Sequence, residues 1–158
     1  MRLIDLLTQE RVAVRRVDEE AQPLDKAMAL TLLAKMLASG ARVNAAEVER
    51  VLSEREQLQS TGIGEGVAIP HGALPQLQSQ FAALVIVPGG VDFAAIDGLK
   101  VNILFAVIGP KRATGEHLKT LARVSRLLRN KAFRDRLVAA RDERQAYALI
   151  AAEEGEPR

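Results

Sequence analysis

The chain has two histidines, His71 and His117, and the first sits in the densest chemical signal of the sequence. His71 follows Pro70 and precedes Gly72, at the end of the stretch STGIGEGVAIPHG over residues 60–72. Proline fixes its own φ and restricts Ile69, so His71 is presented from a stiff segment. A histidine near its ordinary pKa of about 6.5 is largely neutral at pH 7. Its bare ring nitrogen can attack phosphorus without a separate base. Phosphoryl transfer mainly needs positioning and charge stabilisation. Loop N–H groups can cradle an anion, a hydroxyl at Ser60 or Thr61 can assist, and Arg55 can offset charge. Thr61, Gly62 and Gly64 are therefore expected to form a phosphate loop. His117, in Thr-Gly-Glu-His-Leu, falls near the start of a helix. A helix N-terminus disfavours imidazolium, which leaves a neutral ring able to donate to a phosphoryl oxygen. Each feature has a plainer rival. Glycine-rich stretches are often turns, a lone loop histidine is often a surface group, and His117 can be an ordinary first-turn residue.

Other chemistries fit less well. Without cysteine there is no thiol nucleophile, Cys-ligated zinc or disulfide framework. With neither HExxH nor a histidine pair at i, i+4, no metal is expected, and no cofactor either. The glycines match neither GxxxxGK[ST] nor GxGxxG after a strand, and Ser60 is not in a GxSxG elbow. Asp92 and Asp97 read as turn-formers. Aromatics are 3% with no Trp, too few for base stacking on single-stranded nucleic acid. Net charge is only +2, but residues 111–144 hold 11 Lys+Arg against 4 Asp+Glu. That segment could attract phosphate, nucleic acid or an acidic partner; the plainer reading is a solvated helix face.

The 158 residues suit one domain. Residues 1–7 read as a helical turn, and Arg11 to Val17 as a strand through Val12, Val14 and Val17. Pro23 or Asp25 opens a helix with Leu24, Ala27, Met28, Leu32, Met36 and Leu37 on one face, stopped at Gly40. Asn44 and Glu47 suggest a capping-box-like start to a second helix, carrying Val48, Val51 and Leu52 inward. Phe81 to Val87, ended by Pro88-Gly89-Gly90, and Val101 to Ile108 read as strands covered on both faces. Three helices follow, marked by Leu118, Leu121, Val124, Leu127 and Leu128, by Phe133, Leu137 and Val138, and by Ala146, Leu149 and Ile150. The expectation is an α/β domain over residues 1–152, a small mixed sheet flanked by helices on both sides, with a flexible tail at 153–158. No apolar run reaches the roughly 18 residues of a membrane span, and no signal peptide is visible. A cytoplasmic protein without membrane insertion is expected.

Four blocks then fall in a familiar order: Arg-Glu at 55–56, the 60–72 segment, Asp-Phe-Ala-Ala-Ile-Asp-Gly at 92–98 and Glu-His-Leu at 116–118. With them the chain resembles, from about Leu3 to Ala152, the IIA domain of the bacterial phosphoenolpyruvate-dependent phosphotransferase system, of the fructose, mannitol and nitrogen-regulatory type. The resemblance implies that His71 accepts a phosphoryl group from a histidine-containing phosphocarrier protein or its nitrogen-branch paralogue. Arg55 and His117 become its active-site partners. It implies a phosphohistidine carrier rather than a stand-alone turnover enzyme. A chain with no second domain in view looks like the nitrogen-regulatory branch, acting on a regulatory target by phosphorylation-dependent binding. The alternative is a sugar-specific component that passes phosphate to a IIB domain. A lesser alternative is a binding module that never carries phosphate. Where the family often has Pro just after Asp-Gly, this chain has Leu99-Lys100-Val101, outside the expected site.

Overall fold

The computed structural model describes residues 2–15 and 24–155. In chain order these form α1 (Leu3–Leu7), a 3-10 turn (Gln9–Arg11), β1 (Val12–Val14), α2 (Lys26–Ala41), α3 (Ala45–Leu58), β2 (Gly62–Gly64), β3 (Val67–Ala68), β4 (His71–Leu74), β5 (Phe81–Val91), β6 (Val101–Pro110), α4 (Thr114–Leu127), α5 (Lys131–Val138) and α6 (Glu143–Gly155). The strands make one mixed sheet in the order β1-β5-β6-β3-β2, with β4 also paired to β6. β1 runs parallel to β5, and β5 and β6 are antiparallel. β3 and β4 run parallel to β6 on successive stretches, Val67 opposite Ile103 and His71 opposite Val107.

The alternation along β5 and β6 explains why both read as unbroken apolar runs. Ala83, Val85, Leu104, Ala106 and Ile108 face α2 and α3 in one core. Ala82, Leu84, Ile86, Ile103, Phe105 and Val107 face α1, α4, α5 and α6 in the other. A sheet buried on both faces has no polar face to show in its sequence. The expected α/β single domain with helices on both sides is the observed architecture.

Several expected boundaries move. β5 continues through Pro88-Gly89-Gly90 to Val91, because the irregular register between Ile86 and Val91 absorbs these residues without ending the pairing to β6. β6 likewise runs past Gly109 to Pro110. Asp25 caps α2 by accepting from the Met28 N–H at 2.8 Å. Gly40 does not stop α2; Arg42 ends it in the left-handed conformation (φ 57°). Gly40 lies inside the last turn because a Cβ there would overlap the Arg11 guanidinium. The buried stripe of α2 is Leu30, Leu33, Ala34 and Leu37, leaving Ala27 and Met28 exposed. Asn44 caps α3 at the Ala46 N–H, but Glu47 binds Gln76 Nε2 at 2.6 Å and closes no capping box. α6 extends to Gly155, beyond the expected boundary at 152. Glu154 accepts from the Leu3 and Ile4 N–H groups at 2.8 and 3.0 Å, so it caps α1 from the other end of the chain. The expectations at Val17 and Pro23 lie outside the described residues.

Candidate functional site

The stretch around His71 is strand, not loop. β3 and β4 lie end to end along one side of β6, interrupted at Ile69-Pro70. Proline has no N–H to give, and the break suits it. The Pro70 carbonyl still accepts from Val107 N at 3.0 Å, and Ile69 N donates to Thr61 O at 3.0 Å. His71 therefore begins a short strand with its backbone fixed on both sides.

Its ring is fixed as well. Nδ1 lies 2.8 Å from the Ile69 carbonyl oxygen. A carbonyl only accepts, so Nδ1 carries the proton. Arg55 Nε donates to His71 Nε2 at 3.2 Å. A guanidinium only donates, so Nε2 holds a bare lone pair. The two contacts select one neutral tautomer, with the lone pair on Nε2. Arg55 is oriented in turn by its Nη1, which donates to the Gln59 carbonyl at 2.8 Å at the end of α3. A cation is favourable there beside unpaired helix carbonyls. Gly72 makes this reach possible. A Cβ at Gly72 would stand 2.9 Å from Val51 Cγ2, and Val51 precedes Arg55 by one turn of the same helix.

His117 faces His71 from the first turns of α4, with ring centroids 5.6 Å apart and planes inclined at 54°. Burial lowers both histidine pKa values below the ordinary figure. Arg55 lowers His71 further, while its bond to Ile69 and the charge of Glu56 act against the shift. His71 lowers His117 further. Both rings thus stay neutral at pH 7. The unfolded chain binds these protons at higher pH than the folded one, so the two histidines destabilise the fold as pH drops through about 6.5, and the loss levels off below the folded pKa values. An NMR titration of the two Cε1–H signals is expected to give midpoints below about 6.5 for both. A midpoint above that value for His71 would contradict the Arg55 contact.

The N–H groups of the expected phosphate loop at Thr61 and Gly62 are already paired within the protein. The Thr61 N–H and hydroxyl both go to Glu56, with N–O distances of 2.9 and 3.1 Å to the two carboxylate oxygens. The Gly62 N–H goes to Ser60 Oγ at 3.1 Å. Gly64 (φ 99°) faces Asp97 and is not part of the His71 depression. Gly62 is glycine because a Cβ would meet Ala95 Cβ at 2.7 Å. Thr61 and Gly62 shape the wall of the depression, and their N–H groups are already engaged within the protein.

Glu56 was not foreseen as a site residue. It is 7% exposed and takes Lys26 Nζ at 2.8 Å besides Thr61. Burial raises its pKa, but the bonds from Lys26, Thr61 and Ser60 outweigh this and leave it below the ordinary carboxylate value. The result ties the end of α3, and so Arg55, to β2 and α2. Its adjacency to Arg55 in the Arg-Glu block was the available signal.

His71, Arg55, Ser60, Thr61 and Gly62 line a depression of about 280 Å³, with Ile63, Ile96 and Leu121 among its apolar walls. Ile63 is 46% and Ile96 68% exposed. Leu118, expected to point inward, is 60% exposed one turn before Leu121. Much of the basic 111–144 segment is structural. Arg134 is buried and donates to the Leu128 and Arg129 carbonyls, Lys131 pairs with Asp135 at 2.8 Å, and Arg136 pairs with Glu153 at 3.4 Å. Among the described residues no cluster of three or more His, Asp or Glu could hold a metal ion. Among them too, no helix is long and apolar enough to cross a membrane.

Residues 11–153 match the family model described as phosphoenolpyruvate-dependent sugar phosphotransferase system, EIIA 2. A nitrogen regulatory protein of Bradyrhizobium diazoefficiens is 40% identical over 126 residues, covering 80% of this chain and 82% of that protein. The crystal structure of the nitrogen regulatory protein IIA-Ntr from Neisseria meningitidis superposes with a TM-score of 0.83 at 28% identity, covering 92% of this chain and 97% of the other. A fructose-specific EIIABC component of Bacillus subtilis is 29% identical over 95% of this chain, which corresponds to 23% of that longer protein. The chain belongs to the type 2 IIA family of the phosphotransferase system, with nitrogen regulatory proteins among its homologues.

Proposed function

We propose that the protein is a phosphoryl carrier whose acceptor is His71 Nε2, charged by a histidine-containing phosphocarrier protein or its nitrogen-branch paralogue, with phosphoenolpyruvate as first donor. The observation that carries this reading is the neutral His71 tautomer held between a carbonyl and a guanidinium. The Nε2 lone pair forms a bond to phosphorus as the bond between phosphorus and the donor's imidazole nitrogen breaks, and that electron pair stays with the donor. The proton stays on Nδ1 throughout, donated to the Ile69 carbonyl, so no base is needed. Arg55 exchanges its bond to Nε2 for one to a phosphoryl oxygen, and His117 donates to another.

The rim of Ile63 and Ile96 suits the apolar surface of a protein donor better than a polar sugar. Phosphorylation then places about −1.5 to −2 charge at the centre of that rim. We propose that the output is regulatory: a target protein that docks over His71 distinguishes the two states. The nitrogen regulatory relatives support this. The fructose-specific relative supports a second reading, transfer onward to a IIB domain.

Charging the protein from phosphoenolpyruvate and then adding a cognate IIB domain separates the two. Retention of the phosphoryl group, with a partner captured by one state and released by the other, is expected. Rapid discharge to IIB would establish the transport role. A protein that takes no label from any cognate carrier would leave the unphosphorylated binding module.

A further inference from the structure

Two buried polar atoms of the described residues have no hydrogen-bond partner beside the site: His117 Nδ1 and Gln80 Oε1. Both flank Gly109. A Cβ on that glycine would lie 3.1 Å from Gln80 Cγ and 3.6 Å from His117 Nδ1. The register explains the meeting, since Phe81 pairs with Ile108 and the next antiparallel step sets Gln80 against Gly109. Gly109 leaves an opening between β6 and α4 that any other residue would fill. Gln80 is only 8% exposed, yet its side chain borders a second cavity, of about 390 Å³, which Glu116, Lys119 and Thr120 also line.

An unpartnered buried acceptor is costly, and proteins rarely leave two side by side. A carboxamide has a donor end and an acceptor end, exchanged by a half-turn about Cγ–Cδ. That half-turn puts the amide NH₂ in the buried position where Oε1 lacks a partner.

We propose that Gln80 is the positioning residue for His117: its side-chain NH₂ donates to Nδ1, which places the ring proton on Nε2. A neutral imidazole carries one N–H, and the donor on Nδ1 decides where it is. With the proton on Nε2, His117 offers a hydrogen-bond donor toward His71. With the proton on Nδ1, it would offer a lone pair to an anionic phosphoryl group. The pair formed with His71 is complementary: one imidazole is held with Nε2 bare to attack, the other with Nε2 protonated to receive the charge. The mechanistic value of this arrangement rests on the phosphocarrier reading.

Two-bond ¹H–¹⁵N correlation spectra of the unphosphorylated protein read each tautomer directly, and two histidines are simple to assign with a His117→Asn control. Wild type is expected to show His117 protonated at Nε2 and His71 at Nδ1. Gln80→Met has similar shape and no donor; the His117 signals should shift to a mixture of tautomers, and phosphoryl acceptance should fall roughly tenfold. Gln80→Glu should move the His117 proton to Nδ1, with a similar loss, and provides the reading if the methionine variant does not fold. A wild-type His117 protonated at Nδ1, or an Nε2–H tautomer unchanged in both variants, would overturn the proposal. The tautomer is measured without phosphate, so a failure of His71 to accept phosphate is a separate result.

Discussion

Glu56→Ala is expected to destabilise the protein by about 2–3 kcal/mol, the cost of leaving buried donors without their charged acceptor. The carboxylate takes the Lys26 ammonium, the Thr61 N–H and the Thr61 hydroxyl in a place that is 7% exposed. Truncation leaves those donors without their partner and opens a void at the end of α3. Urea unfolding should show a lower midpoint with an unchanged slope. A loss below about 1 kcal/mol would mean that water reaches Thr61 and replaces the carboxylate. The same group predicts a pH effect. Its folded pKa is depressed, so its stabilisation is present above the ordinary carboxylate value and is lost as pH falls through the folded one. Glu56→Gln should flatten that acid limb.

Arg55→Ala is expected to slow phosphoryl acceptance by about 10²–10³-fold, the range for removing one donor aimed at developing charge. Two effects combine. The phosphoryl oxygens lose a cation, and His71 loses one of the two contacts that select its tautomer. Arg55→Lys should recover only part of the rate. A lysine is a point charge and cannot hold the Gln59 carbonyl and the His71 side together with a planar fork. Arg55→Ala also has a signature that misfolding would not give: it should raise the His71 midpoint, because a nearby cation no longer opposes protonation. Full transfer activity in Arg55→Lys would reduce Arg55 to a general cation.

The residues that meet at the site were readable in the sequence, while the way they are held was not. His71, His117 and Arg55 are 16 or more residues apart in sequence, and their motif blocks identified them before any contact was known. The sheet was also legible, since β5 and β6 are apolar enough to require cover on both faces. The phosphate-loop residues have partners that the sequence does not show. Glycines at 62 and 64 look like anion-binding flexibility, but Gly62 is there to admit Ala95, and the neighbouring donor at Thr61 belongs to Glu56. Spacing along the chain cannot show which partner an N–H has already found. Leu118 misled for a similar reason. It continues the apolar spacing of α4, yet it is 60% exposed, and an exposed apolar side chain looks like a core one in sequence. Gly40 looked like a helix stop because its true role, room for Arg11, depends on a residue 29 positions away.

Whether His71 Nε2 carries the phosphoryl group is tested most directly by charging wild type and His71→Ala from phosphoenolpyruvate through enzyme I and a histidine phosphocarrier, and locating the phosphate by NMR. An acid-labile, alkali-stable phosphate is expected on wild type alone, bonded to Nε2, with the proton of Nδ1 retained. Label on His71→Ala at the wild-type rate, or phosphate bonded to Nδ1 of His71, would contradict that expectation.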